Sequence, residues 1–315
     1  MVCIHVKIFD TKKKFTYERV QISMKASVII PTYYRSHDLS CLFNSLLEQR
    51  VKPGEVLVID DTPNTEIKSL CEKYFAEFGR TGVTLVYVKN RRERSISVAR
   101  NVGANMARGN ILLFIDSDVI LYPDYIEKVL DTFKKYPRVL GVGGWEKRLI
   151  DYQHPEGVRF YLLQLFDKLF FLWHFSRNSC NAFEIPIELS STTHSQYLNG
   201  QSLSLRKSVF NDLQFDENLK GYSWMEDFLF SASINKKYPE SLLITPEAMY
   251  THTISAESRL TGKNLVDVKR RNRKYVLRQL WGSKGLVMFS LQNLGILIFK
   301  TVEKLLKKKL TLMEE

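Results

Sequence analysis

The sequence has few cysteines and no pairing pattern among them. Cys3, Cys41, Cys71 and Cys180 lie far apart and none stands at C-x-x-C spacing. That argues against a disulfide framework, and the four are expected to be reduced thiols. A secretory leader is not expected either, because Cys3-Ile4-His5-Val6-Lys7-Ile8-Phe9 alternates polar and apolar residues where a leader carries an unbroken apolar run. Alternation of that kind suits a short strand. Residues 1–25 are therefore expected to form an N-terminal extension, on a chain that works in the cytoplasm or at the cytoplasmic face of a membrane. The sequence shows no internal repeat and no low-complexity linker. Its apolar stretch Gly285–Phe299 is interrupted by Ser290, Gln292 and Asn293, and it falls short of the ~20 residues that cross a bilayer.

Positive charge is what the chain has in excess. Its 315 residues carry a net charge of +12, which favours anionic partners such as nucleic acid, acidic lipid or phosphorylated substrates. Lys263–Glu315 contains 13 basic and 4 acidic residues, so most of the excess belongs to a C-terminal arm. Basic clusters at Lys269–Lys274 and Lys300–Lys309 flank the apolar Gly285–Phe299. That order predicts basic amphipathic helices over residues 261–315, lying on an anionic membrane surface rather than crossing it. An aromatic region, Gly157–Phe175, reads as a packing helix or as a partly exposed element beside a site or a lipid surface. With 44% hydrophobic and 25% charged residues, the remainder is ordinary globular material.

From Ala26 to Gly144, short β-branched runs alternate with helical stretches. Ala26–Pro31, Glu55–Asp60, Val83–Lys89, Ile111–Asp116 and Val139–Gly143 read as strands; Asp38–Gln49, Thr65–Phe78, Ser95–Ala107 and Tyr122–Lys135 read as helices. Strands apolar on both faces alternating with helices predict an α/β fold with a mostly parallel sheet flanked by helices. Ligands on such sheets bind at the carboxyl ends of the strands.

Three strand ends stand out. Ala26-Ser27-Val28-Ile29-Ile30 runs into Pro31-Thr32-Tyr33, Val56–Ile59 runs into Asp60-Asp61, and Leu112–Ile115 runs into Asp116-Ser117-Asp118. An unpaired buried carboxylate costs several kcal/mol, so these acids need a sheet rim, a positive partner or a metal ion. In a D-x-D turn, one carboxylate is placed to bind a metal directly and the other to bind a ribose or a water. Carboxylates together with diphosphate oxygens are the usual setting for Mg²⁺ or Mn²⁺. The plainer alternative is a turn with an Asx cap.

Four ordered strings now carry a resemblance. Ser27-Val28-Ile29-Ile30-Pro31-Thr32-Tyr33, Val58-Ile59-Asp60-Asp61, Ala99-Arg100-Asn101-Val102-Gly103 and Asp116-Ser117-Asp118 resemble the nucleotide-sugar half of family 2 glycosyltransferases of the GT-A fold. Asn199-Gly200-Gln201, Leu205-Arg206-Lys207, Phe215-Asp216-Glu217 and Trp224-Met225-Glu226-Asp227 resemble that family's acceptor half. The resemblance runs from about Ala26 to His252. It implies a nucleotide-sugar half over residues 26–145 and an acceptor and catalytic half over 146–260 of the same domain.

What the resemblance implies for individual residues is specific. Asp60 or Asp61 would accept a hydrogen bond from the base or ribose, with Pro31, Thr32 and Tyr33 lining the nucleoside pocket; strand-end capping is the alternative. Arg100 would lie on the nucleotide, its fork suited to a base edge or phosphate, against the alternative of a surface ion pair. Asp118 would contact an Mg²⁺ or Mn²⁺ ion, and Asp116 would hold the ribose, or the metal through water. His252 would assist the metal or the diphosphate, or else be an ordinary satisfied histidine. Asp227 would be the general base for an acceptor hydroxyl, with Glu226 orienting the acceptor or the loop; both acids also suit a helix N-terminus. Arg270, Arg271 and Arg273 would reach the diphosphate or lipid head groups.

The implied reaction is inverting, metal-dependent transfer of one sugar from a UDP- or GDP-linked donor to a glycan or lipid-linked acceptor, without nucleic acid. Thr62-Pro63 stands where the family usually has Gly-Ser, and Tyr34 where it often has Asn. No Q-x-x-R-W string follows the acidic pair, which argues against a processive polysaccharide synthase. A nucleotidyltransferase is disfavoured because Pro31-Thr32-Tyr33-Tyr34-Arg35 has no glycine. A nucleic-acid-binding or membrane-binding module without catalysis is disfavoured because the sheet rim is acidic.

Overall fold

The computed structural model describes residues 2–9, 15–22, 24–147, 169, 189–253 and 261–314. Strands β1 (Val2–Phe9) and β2 (Phe15–Ile22) pair antiparallel as a separate two-stranded sheet. The main sheet begins with β3 (Ala26–Thr32), followed by α1 (Ser36–Leu47), β4 (Glu55–Asp60), α2 (Glu66–Arg80), β5 (Thr84–Lys89), α3 (Ile96–Met106) and β6 (Ile111–Ile115). These four strands lie in the order β5-β4-β3-β6, all parallel. This is the expected βα repeat, with element ends within three residues of the sequence reading.

Beyond β6 the sheet becomes mixed. β7 (Val119–Leu121), α4 (Tyr125–Lys135), β8 (Gly141–Glu146), β9 (Thr193–His194), β10 (Ser202–Arg206), α5 (Glu226–Lys237) and β11 (Leu242–His252) complete it. β10 inserts antiparallel between β6 and β8, β11 runs parallel to β8, and β7 pairs antiparallel with β11. The parallel sheet read from the sequence is thus its N-terminal half, and the sheet continues unbroken past residue 145.

Alternation along each strand builds two cores. Val28, Ile30, Leu113 and Ile115 face α1, α2 and α4, whose apolar residues Leu39, Leu42, Phe43, Leu46, Ile126, Val129 and Phe133 are buried with them. Ile29, Leu112 and Phe114 face the other way, against Ala99 and Ala104 of α3 and Phe230 and Ile234 of α5. Each such Ile or Leu contributes about 1.5–3 kcal/mol on burial. A sheet covered on both faces leaves its strand ends as the accessible edge.

The chain ends in α6 (Gly262–Glu314), which kinks at Gly282 (φ 58°, ψ −130°). Its first half packs through Val276 and Leu280 on Tyr197, Met225, Phe228 and Leu229. The second half folds back on the first: Arg273 Nη2 donates to Asn293 Oδ1 at 2.8 Å and its guanidinium lies over Phe289. Gly285 makes this return possible, since a Cβ there would sit 1.9 Å from Leu277 O. By length and composition Gly262–Val302 passes for a membrane span, where the sequence reading had found the run too short. The fold-back makes it a hairpin, with Gln292 buried inside and Val287, Leu291, Leu294 and Leu297 exposed. The aromatic region Gly157–Phe175 lies outside the described residues except for Leu169, which is exposed.

Candidate active site

Because β4, β3 and β6 are neighbours, their carboxyl ends bring Asp61, Thr32 and Asp116 to one rim. The D-x-D segment turns sharply there, with Val119 N donating to Asp116 O. β7 then returns along β11, and Thr253 donates from both N and Oγ1 to Asp118 O. Together they border a cavity of about 620 Å³ whose lining includes Thr32, Tyr33, Asp61, Asp116, Asp118 and His252. Pro31, Arg100, Glu226 and Asp227 line it too. Of the residues singled out at the strand ends and in the acid pair, Asp60 does not.

Asp60 is excluded by its partners. It is fully buried, accepting from Thr62 N at 2.7 Å and from Tyr87 Oη at 2.8 Å, with Lys89 Nζ at 3.3 Å. The choice left open between Asp60 and Asp61 therefore falls on Asp61 as the cavity acid, and Asp60 takes the capping role. Thr62 has a structural use: its Oγ1 accepts from Tyr34 N at 2.7 Å, holding the Tyr33-Tyr34 turn against β4. Burial, opposed by the hydrogen bond from Asn90, raises the Asp61 carboxyl to about 6. Beside it, the Arg94 guanidinium stacks 4.5 Å above the Tyr33 ring.

Arg100 is neither on the surface nor available as a simple fork. It is 1% exposed, ion-pairs with Glu226, and donates to Asp116 Oδ1 and Gly200 O, both at 2.9 Å. The arginine expected on the nucleotide, with a surface ion pair as the alternative, is instead a buried hub joining α3, the D-x-D turn and the start of α5. Burial pushes the Glu226 carboxyl well above its usual range although Arg100 pulls it down, and Glu226 Oε2 has no hydrogen-bond partner among the described residues. Asp227 is more open. Its Oδ2 accepts from Gly200 N at 2.7 Å and its Oδ1 from Phe228 N at 2.8 Å. Gly200 fits only without a side chain, as a Cβ would lie 2.8 Å from Arg100 Nη2 and 2.9 Å from Asp227 Cβ. Met225, just before the acids, holds a left-handed backbone (φ 74°) that turns the chain into α5.

Asp118 and His252 meet directly, Nε2 to Oδ2 at 3.2 Å. His252 Nδ1 contacts Gln201 Nε2 at 2.8 Å, while Gln201 Oε1 accepts from Tyr250 Oη at 3.2 Å. The donor set, a hard carboxylate oxygen beside an imidazole nitrogen, fits Mg²⁺ or Mn²⁺ when diphosphate oxygens and water complete the shell. Among the described residues no three acidic, histidine or cysteine side chains converge on one point. Asp116, expected with Asp118 and His252 as a metal group, has its Oδ1 committed to Arg100. Arg35, Arg94 and Gln201 were not assigned roles from the sequence. Arg35 gave a signal in being a basic residue next to the Pro31-Thr32-Tyr33 strand end, whereas Arg94 and Gln201 gave none beyond their places before α3 and in Asn199-Gly200-Gln201. Arg270 and Arg271 are not part of the cavity lining, and Arg273 is spent inside the hairpin.

Residues 27–192 match Glycosyl transferase family 2. A glucosyl-dolichyl phosphate glucuronosyltransferase of Haloferax volcanii is 31% identical over 123 residues, 38% of this chain and 38% of the relative. A chondroitin synthase of Escherichia coli is 30% identical over 120 residues, 38% of this chain and 16% of the relative. The chain thus matches well under two thirds of the length of either curated relative. Among solved structures, the mannosyltransferase PcManGT of Pyrobaculum calidifontis, in complex with GDP-Man and Mn²⁺, aligns with a TM-score of 0.59 at 13% identity, covering 93% of this chain and 81% of that one. Residues 1–349 of S. aureus TarS in complex with UDP-GlcNAc align with a TM-score of 0.54 at 18% identity, covering 85% and 71%. At these identities the structural likeness is one of fold. With more than half of its length matched and its sheet built in this way, the chain belongs to glycosyl transferase family 2 and has the GT-A fold.

Proposed function

We propose that the protein transfers a single sugar, with inversion, from a UDP- or GDP-linked donor to a hydroxyl of a glycan or lipid-linked acceptor. One observation carries the reading: the open carboxylate of Asp227 lines the same cavity as the Asp118–His252 pair and the Tyr33–Asp61 corner. An acceptor hydroxyl is a poor nucleophile at neutral pH. In this reading Asp227, aimed by the N–H groups of Gly200 and Phe228, takes the hydroxyl proton as the new bond to the anomeric carbon forms. The bond to the diphosphate breaks on the opposite face, so the anomeric configuration inverts. Glu226 and Arg100 hold α5 and the D-x-D turn in register, Tyr33 and Asp61 receive the nucleoside, and Asp116 meets the ribose. Asp118 and His252 would hold a divalent cation, which when bound would supply Lewis-acid neutralisation of the departing diphosphate.

The α6 hairpin supports a finer part of the reading, contact with an anionic membrane that presents the acceptor. Its exposed Val287, Leu291, Leu294 and Leu297 are bracketed by Lys284 and Lys300. The test of the catalytic assignment is Asp227→Asn. Turnover should fall by roughly 10²–10⁴ while donor affinity by calorimetry stays near wild type. Retained turnover with lost donor binding would refute Asp227 as the base.

A further inference from the structure

Arg35 stands directly against Asp118, the carboxylate that would hold the cation. Its Nη1 lies 3.0 Å from Asp118 Oδ2, the same oxygen that His252 Nε2 approaches at 3.2 Å. The contact is built rather than incidental. Asp118 is 1% and Arg35 16% exposed at the side chain. Tyr34 and Arg35 both hold a left-handed backbone, at φ 58° and 62°, a conformation that costs a non-glycine residue about 1–2 kcal/mol. That turn is fixed by three hydrogen bonds: Tyr34 N to Thr62 Oγ1, Thr32 Oγ1 to Tyr34 O, and Leu39 N to Arg35 O. Arg35 supplies the positive charge that a buried carboxylate at Asp118 needs beside it.

A divalent cation on Oδ2 conflicts with that arrangement. The oxygen has two lone pairs and two donors already directed at it. A histidine ligates metals through a neutral imidazole nitrogen, so the His252 ring is compatible with a cation beside it. Arginine does not deprotonate in proteins, so its guanidinium has to move away from the incoming cation. The donor's diphosphate offers it a new partner in the same cavity, which Arg35 lines, and a guanidinium fork pairs with phosphate oxygens in a bidentate way.

We infer that Arg35 is a built-in competitor of the metal that becomes a diphosphate-binding residue, making cation and donor bind synergistically. This rests on the metal-assisted, nucleotide-sugar reading above. With the cavity empty of donor, Arg35 neutralises Asp118 and the cation binds weakly. Donor and cation together release Arg35 to the phosphates.

The test is Mn²⁺ binding, read by the electron paramagnetic resonance of unbound Mn²⁺, with and without UDP or GDP. Arg35→Asn removes the charge, and asparagine accepts the left-handed backbone; an unchanged circular dichroism spectrum and unfolding temperature check the fold. Arg35→Lys keeps the charge as a second variant. The asparagine variant should bind Mn²⁺ alone at least about tenfold more tightly than wild type, bind the Mn²⁺–nucleotide pair more weakly, and show little synergy between the two. The lysine variant should retain weak Mn²⁺ binding. Mn²⁺ binding that is unchanged or weakened in Arg35→Asn overturns the inference while leaving the metal-assisted reading standing. Wild-type protein that binds no Mn²⁺ even with either nucleotide overturns both.

Discussion

At the scale of single residues, charge burial governs the site. Arg100 joins three segments because it faces Glu226 and Asp116 at once. Arg100→Met leaves Glu226 without its counter-charge, so the fold should lose about 3–5 kcal/mol, measurable by urea unfolding; Glu226→Gln in that background should recover part of it. A loss below 1 kcal/mol would mean that the pair is not the hub described here. Asp61 carries a pH prediction. Its carboxyl is raised from 3.8 to about 6, chiefly by burial, so the folded chain holds that proton more tightly than the unfolded one. Its contribution to stability is therefore full below pH 4 and is lost as pH rises towards 6. Ionisation over the same interval creates the acceptor for a nucleoside N–H or ribose hydroxyl. Donor affinity should rise between pH 5 and pH 7, and Asp61→Asn should flatten that rise; an unchanged slope would remove Asp61 from the nucleoside pocket.

At the scale of elements, the first half of the sheet was legible because the strands from Ala26 to Ile115 are apolar on both faces and β3, β4 and β5 are each followed by an amphipathic helix. β10 was not legible. Ser202-Leu203-Ser204-Leu205-Arg206 alternates in a way that suits a half-exposed strand, yet it lies fully buried up to Arg206 between β6 and β8. The two serines are accommodated singly: Ser202 is bonded to Tyr125, and Ser204 is packed without a partner for its hydroxyl among the described residues. The acids were legible as motif members, whereas Asp60 and Asp61 are adjacent and chemically identical, and only the positions of Tyr87 and Lys89 on β5 distinguish them. The hairpin in α6 was hidden because its kink depends on Gly282 taking a backbone that no periodicity announces. Gly285→Ala tests the fold-back. A Cβ there meets backbone rather than a yielding side chain, so stability should drop by about 1–3 kcal/mol, with a lowered unfolding temperature in calorimetry. No change would mean that the two halves are not in that contact.

At the scale of the whole molecule, an acidic cavity and a basic hairpin share one chain, joined through the segment before α5. Asn272 Nδ2 donates to Trp224 O at 3.2 Å, and Lys269 lies over the Trp224 ring, directly beside the cavity-lining Met225, Glu226 and Asp227. An acceptor held at a membrane by the hairpin would therefore be presented near the acid pair. Replacing Val287, Leu294 and Leu297 together with aspartate changes only exposed positions, so folding should be preserved while flotation with anionic liposomes is lost. Flotation equal to wild type would discard the membrane contact and leave the catalytic reading intact.

The central claim, a cavity that holds a nucleotide sugar with a divalent cation, is tested most directly by thermal shift. UDP, GDP and their sugar conjugates would each be added with and without Mn²⁺. A ligand at about 100 times its dissociation constant stabilises the folded state by about 2.7 kcal/mol, which moves the unfolding temperature visibly. The account predicts a shift with one nucleotide series that depends on Mn²⁺ and disappears in Asp118→Ala. No shift with any nucleotide, with or without the ion, would contradict it.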